Sequence, residues 1–314
     1  MATLAAPSML ALVRRYLVTR RKLGYALRAA DLLLDFGRFA DRVAPRQPLT
    51  TALATQWATA VPTARRATHA GRLGMVRGFA RYCVTYDPRT QIPDTYLLGP
   101  TFQRIRPHLY TAPEIRVILQ RTRKLETHRS PLHPLTYETL IGLLACTGMR
   151  PGEALRLQLR DFDADQRQLR IRPCKFSPER VIPLHVTTVG ALQRYREARQ
   201  ARFPSGETLF IGGTGRPLSA RRTEKVFLRL TEGMTSSGQR GSLRLMDFRH
   251  TFASHRIAQW SREAQPVAHH LLLLARYLGH RTFNSTWWYV SSDPVALQSA
   301  AKTFRQFHEH ADET

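Results

Sequence analysis

The chain has 314 residues, enough for two domains with a core each. Hydrophobic residues make up 43% and charged residues 23%, a globular composition that excludes a disordered or fibrous chain. Against 23 Asp+Glu stand 48 Lys+Arg, a net charge of +25; such an excess repels itself in a compact fold unless a polyanion offsets it, so nucleic acid is the first expected partner and an anionic membrane surface the second.

The opening MATLAAPSMLALV has no basic residue ahead of its apolar stretch and does not read as a signal peptide. Residues 8–22 carry Leu10, Val13 and Leu17 at helical spacing, and Gly24 permits a break. Residues 26–42, 50–61 and the strongly basic 64–86 predict three more helices. Residues 87–110 carry Pro88, Pro93, Pro100 and Pro107, which forbid a long helix and predict an extended linker. Thr111 to Glu114 is a capping-box pattern with Pro113 in the first turn, so a helix starts there. The expected layout is a helical domain over 1–98, a linker over 99–110 and a second domain over 111–314.

In the second domain, residues 136–146 predict an apolar helix ended by Gly148, with Pro151 opening a short one. LRLQL (155–159), QLRIR (168–172) and RVIPL (180–184) predict three strands of a small antiparallel sheet, with Asp161, Asp163 and Asp165 in the loops. Helices return over 187–202, 219–232, 247–260 and 267–278, with a last one over 294–308. The fold class is mostly α with a small antiparallel sheet. No apolar run approaches the roughly 20 residues that span a bilayer. Cys83, Cys146 and Cys174 are far apart and lack metal-ligand spacing, which predicts reduced thiols in a cytoplasmic protein.

Three short segments carry chemistry. Thr147-Gly148-Met149-Arg150-Pro151-Gly152-Glu153 presents Arg150 from a turn at a helix start, with Glu153 placed to hold its guanidinium or the adjoining backbone. Met246-Asp247-Phe248-Arg249-His250-Thr251-Phe252-Ala253 puts Arg249 in the first turn of a helix that Asp247 can cap. Leu278-Gly279-His280 is followed nine residues later by Tyr289. Arginine forks suit the nonbridging oxygens of a phosphate, and a phenol is a nucleophile. Each segment alone is an ordinary helix junction. Trp287 and Trp288 read as packing residues, His269 and His270 as helix residues, and His308 and His310 as solvated ones.

In order and separation, the segments together resemble the signature of the tyrosine recombinase (phage integrase) family. The resemblance implies an N-terminal helical core-binding (SAM-like) domain and a C-terminal α+β catalytic domain. It implies that Tyr289 attacks a DNA phosphate to form a 3′-phosphotyrosine, with Arg150 and Arg249 on the nonbridging oxygens and His280 donating to the phosphate. Lys175, just before the third strand, takes the place of the family's hairpin lysine, the proton donor to the 5′-oxygen. No metal or other cofactor is implied, since the covalent link conserves the phosphoester bond. Double-stranded DNA is the implied partner, with self-association to a tetramer on it, alone or with other recombinases, and location in the cytoplasm or on the nucleoid. The family pattern departs at Met246, where a histidine usually stands. A thioether is no useful proton acceptor. Three readings stay open: a weakened proton path, compensation by His250, or an impaired homologue that acts as a DNA-binding accessory or regulatory protein. A type IB topoisomerase shares the chemistry and is the remaining alternative.

Overall fold

The computed structural model describes residues 7–27, 29–101, 106–127, 130–173, 178–238, 241–263, 267–280 (267–269 by backbone alone), 282, 286 and 289. The chain divides into two compact units, residues 1–104 and 105–314.

The first unit is helical: α1 (Met9–Lys22), α2 (Ala30–Val43), α3 (Thr51–Thr59) and α4 (Arg66–Cys83). Ser8 and Thr50 cap α1 and α3 through their hydroxyls. Asp41 of α2 accepts the N–H groups of Met9 and Leu10, so α1 begins against α2. The helices enclose a core around Val13, Phe36, Trp57, Val76 and Phe79. Arg72 lies over the Trp57 ring at 3.9 Å and bonds the Trp57 carbonyl, covering that core with a cation.

The second unit starts with α5 (Ala112–Arg123), where the Thr111–Glu114 capping box forms with both bonds made. The apolar α6 (Leu132–Thr147) runs through the core, touching α5, α8 and α10. After it come the one-turn α7 (Pro151–Ala154), strands β1 (Phe162–Asp163), β2 (Gln168–Ile171) and β3 (Arg180–Pro183), then α8 (Val186–Arg202), α9 (Ala220–Leu230), α10 (Asp247–Arg262) and α11 (Val267–Leu278). The sheet is antiparallel in the order β1-β2-β3, with Leu169 opposite both Phe162 and Ile182.

Two expectations are corrected. LRLQL is not a strand. Leu155 closes the α7 turn by bonding the Pro151 carbonyl, and the Asp161 carboxylate accepts the Gln158 N–H, winding 159–161 into a 3-10 turn. The first strand forms instead at 162–163, within the stretch expected as loop, because Asp163 accepts from Gln166 and turns the chain back. Asp247 does not cap α10. It is the first helical residue, and its carboxylate bonds the N–H and guanidinium of Arg244. The expected helix over 294–308, together with Cys174, Lys175, Trp287, Trp288, His308 and His310, lies outside the described residues.

Candidate active site

The site assembles where α6, α10 and α11 end or begin. Gly148 terminates α6 in the left-handed region at φ +60°. A Cβ there would lie 2.6 Å from the Phe252 ring, so glycine is required by both conformation and space. The turn it makes delivers Arg150 to the start of α7. Glu153 holds that arginine twice, accepting the backbone N–H at 2.9 Å and Nη1 at 2.9 Å.

At the far end of α11, Gly279 has φ +67°. Its N–H bonds the Arg276 carbonyl and the His280 N–H bonds the Ala275 carbonyl. This pair of bonds is a Schellman closure, which only a left-handed residue permits and which fixes the direction in which His280 leaves the helix. Such a closure leaves the last carbonyls of α11 pointing outward, where the helix dipole is negative. Both arginines end on the carbonyls of this turn. Arg249 Nη2 donates to Leu278 O at 2.6 Å and Arg150 Nη2 to Gly279 O at 3.2 Å, while Arg249 Nη1 bonds Gly148 O at 3.1 Å. Arg150, Arg249 and His280 are therefore held by one turn.

The ring of Tyr289 packs on the α10–α11 cluster of Ala253, Ile257, Leu271, Leu274 and Leu278, and is 3% exposed. His250 and His280 lie against it, with ring centroids 5.6 and 6.1 Å away. Met246 is half-buried one turn before His250 on α10.

The electrostatics follow from burial and arginine density. Burial, then Arg150, lowers the Arg249 pKa to about 10. Burial and the neighbouring arginines lower His250 to about 4 and His280 to about 3, so both imidazoles are neutral at pH 7. For Glu153, burial works to raise the pKa, but the bonds from Arg180 and then Arg150 bring it down to about 2. Among the described residues no cluster of His, Cys, Asp or Glu could hold a metal ion, and no helix is long and apolar enough to cross a membrane.

Two residues were missed in the sequence. Arg180 of β3 bonds both oxygens of Glu153 (2.7 and 3.2 Å) and the Tyr277 carbonyl (2.8 Å). The signal was the strand's period of two: Arg180 falls on the same face as the buried Ile182 and Leu184, whereas Val181 is exposed. A cation on a buried face requires a counter-charge. Thr286 is fully buried, and its hydroxyl lies 2.7 Å from His280 Nδ1. Nothing in the pattern marked it.

The sequence profile of the phage integrase family matches residues 111–295. The chain is 36% identical over 299 residues to the integrase/recombinase y4rB of Sinorhizobium fredii (strain NBRC 101917 / NGR234), covering 92% of this chain and 95% of that one. It is 25% identical over 241 residues to the tyrosine recombinase XerC of Chlamydia pneumoniae, covering 76% and 71%. Its fold is similar to that of the Tn1549 transposon integrase in complex with transposon right end DNA, at TM-score 0.69 and 16% identity over 96% of this chain and 99% of that one. It is also similar to XerH site-specific recombinase bound to its difH substrate, at TM-score 0.67 and 19% identity over 88% and 78%. Motifs, fold and relatives agree: this chain belongs to the phage integrase family, the tyrosine recombinases.

Proposed function

We propose that the protein is a site-specific DNA recombinase of a mobile genetic element, which cuts and rejoins DNA through a 3′-phosphotyrosine on Tyr289. The observation that carries this reading is the single turn, 278–280, on which Arg150, Arg249 and His280 converge beside Tyr289. In the reaction, Arg150 and Arg249 bind the nonbridging oxygens of the scissile phosphate. Neutral His280 donates one hydrogen bond to the same group. The Tyr289 phenol gives up its proton to water, its oxygen bonds to phosphorus as the bond from phosphorus to the 5′-oxygen breaks, and the Lys175 ammonium protonates the leaving oxygen. The reverse attack by a 5′-hydroxyl rejoins the strand and releases the tyrosine. The helical unit over 1–98 binds the DNA core site, with 99–110 as linker to the catalytic domain. The net charge of +25 supports a polyanionic partner. The related structures with DNA, among them a lambda integrase tetramer bound to a Holliday junction, support assembly on DNA.

A nicked duplex bearing the mapped recombination site tests this. The expected result is a denaturant-resistant protein–DNA adduct that disappears in Tyr289→Phe. Specific binding without an adduct supports an accessory protein instead, and relaxation of plasmids lacking the site supports a topoisomerase. Met246 favours a weakened proton path, for which Met246→His preserves or raises the cleavage rate; a large loss of rate in that variant rules it out.

A further inference from the structure

We infer that Arg180 is a positioning residue for strand cleavage, aligning and charging Arg150 for the phosphate through the Glu153 carboxylate that the two arginines share. The inference rests on the proposal that Tyr289 attacks a phosphate held by Arg150. Glu153 is 4% exposed and is gripped from two sides, by Arg150 from the α6–α7 turn and by Arg180 from β3. Were Arg150 its only partner, that carboxylate would neutralise the guanidinium meant for the phosphate. Arg180 shares the counter-charge. Its side chain is 7% exposed, so water screens it little. With Arg249 close enough to feel the same carboxylate, three guanidiniums stand against one negative charge, leaving positive charge in excess for the proposed phosphate.

Arg180 also fixes geometry. Its Nε bonds the Tyr277 carbonyl, immediately before the Leu278 and Gly279 carbonyls that anchor Arg249 and Arg150. One planar fork thus joins β3, the α6–α7 turn and the end of α11. Lysine cannot replace it, because an ammonium does not present two parallel bonds to a carboxylate and a third to a carbonyl. In the sequence Arg180 stands five residues after Lys175, at the head of β3.

The experiment measures single-turnover adduct formation on the nicked site and DNA affinity at matched salt. Arg180→Met is expected to slow cleavage by about tenfold or more, with Kd changed less than about twofold; Arg180→Lys recovers little. A second substrate carries an uncharged methylphosphonate at the scissile position. There the developing negative charge is smaller, so the deficits of Arg180→Met and Arg150→Ala both shrink. A purely structural Arg180 gives the same deficit on both substrates, which overturns the inference, as does an Arg180→Met rate within about threefold of wild type. Arg180→Met/Glu153→Gln removes the stranded carboxylate. It is expected to fold normally and to cleave faster than Arg180→Met, because Arg150 no longer faces an unshared carboxylate, yet more slowly than wild type, because the bonds that align Arg150 are lost; no gain over Arg180→Met overturns the charging role, and full recovery overturns the aligning role. Wild type that forms no Tyr289 adduct overturns the underlying reading, whereas wild type that cleaves beside an equally active Arg180→Met overturns the role of Arg180 alone.

Discussion

Thr286 lies where it can set which nitrogen of His280 carries the ring proton. Held neutral by burial and by three nearby arginines, His280 has one ring proton to give. If the Thr286 hydroxyl, 2.7 Å from Nδ1, donates to it, that proton is on Nε2, the nitrogen on the other side of the ring. Thr286→Val keeps the shape and removes the donor. If the resulting tautomer loses a bond to the phosphate worth about 1.5–3 kcal/mol, cleavage falls roughly ten- to a hundredfold with DNA affinity unchanged. An undiminished rate would show that Thr286 does not set the tautomer. Glu153 makes a separate prediction, about stability against pH. Its pKa is about 2 in the fold against 4.5 ordinarily, because Arg180 and Arg150 outweigh the effect of burial. A depressed carboxylate stabilises the fold above its unfolded pKa and loses that contribution as pH falls through the folded one. Its share, on the order of 3 kcal/mol, is therefore present at pH 7 and lost between about pH 4.5 and 2. Denaturant midpoints measured across that window should fall in the wild type and flatten in Glu153→Gln. An equal fall in both proteins would assign the acid limb to other groups.

At the scale of elements, the site depends on how two helices stop. Gly148→Ala puts a side chain at φ +60° and 2.6 Å from Phe252. The expected cost is about 2–4 kcal/mol from backbone strain plus overpacking, read as a lower midpoint of thermal unfolding. Cleavage measured well below that midpoint should fall as well, because the Gly148 carbonyl anchors Arg249. A variant as stable as wild type would contradict the close approach of Phe252. Helix ends of this kind were legible in the sequence, since Gly148, Pro151 and the Thr111–Glu114 box are local signals with local causes. The helices themselves were legible from apolar spacing. The strands were less so. Leu155, Leu157 and Leu159 alternate as a strand does, yet Asp161 caps the backbone into a 3-10 turn, and alternation cannot report a side chain competing for a backbone N–H. For the same reason Asp247 looked like a cap and is instead bonded to Arg244. Arg150, Arg249, His280 and Tyr289 could be named from motif order, and the structure places them together. Arg180 and Thr286 reach the site through long-range contacts that no window of sequence contains.

At the scale of the molecule, the proposed recombination would bring several protomers onto DNA, and α11 carries exposed apolar side chains against which such an assembly can be tested. Leu271, Leu274 and Leu278 face the core, but Leu272 and Leu273 are about half exposed, an unusual outlay of apolar surface on a strongly charged protein. Leu273 borders a cavity of about 310 Å³ lined also by Cys146, Leu184, Phe252, Trp260 and Tyr277. In the sequence of the C-terminal segment, Leu297, Ala300 and Phe304 recur at helical spacing, an apolar pattern suited to such a cavity. The resemblance to the phage integrase family implies that the segment of a neighbouring copy does so. Leu273→Asp places a charge in that contact at an expected cost of about 2–3 kcal/mol per interface, or roughly 30- to 150-fold in association. Single-site DNA binding and thermal stability should then match wild type, while sedimentation on two-site DNA shows the four-protomer complex replaced by smaller ones. A drop in the unfolding midpoint of the isolated variant would mean that the cavity holds the chain's own segment. An unchanged four-protomer complex would place the assembly contact elsewhere. Because strand exchange needs partners whereas strand cleavage at one site does not, the variant should retain the Tyr289 adduct yet yield no recombinant product.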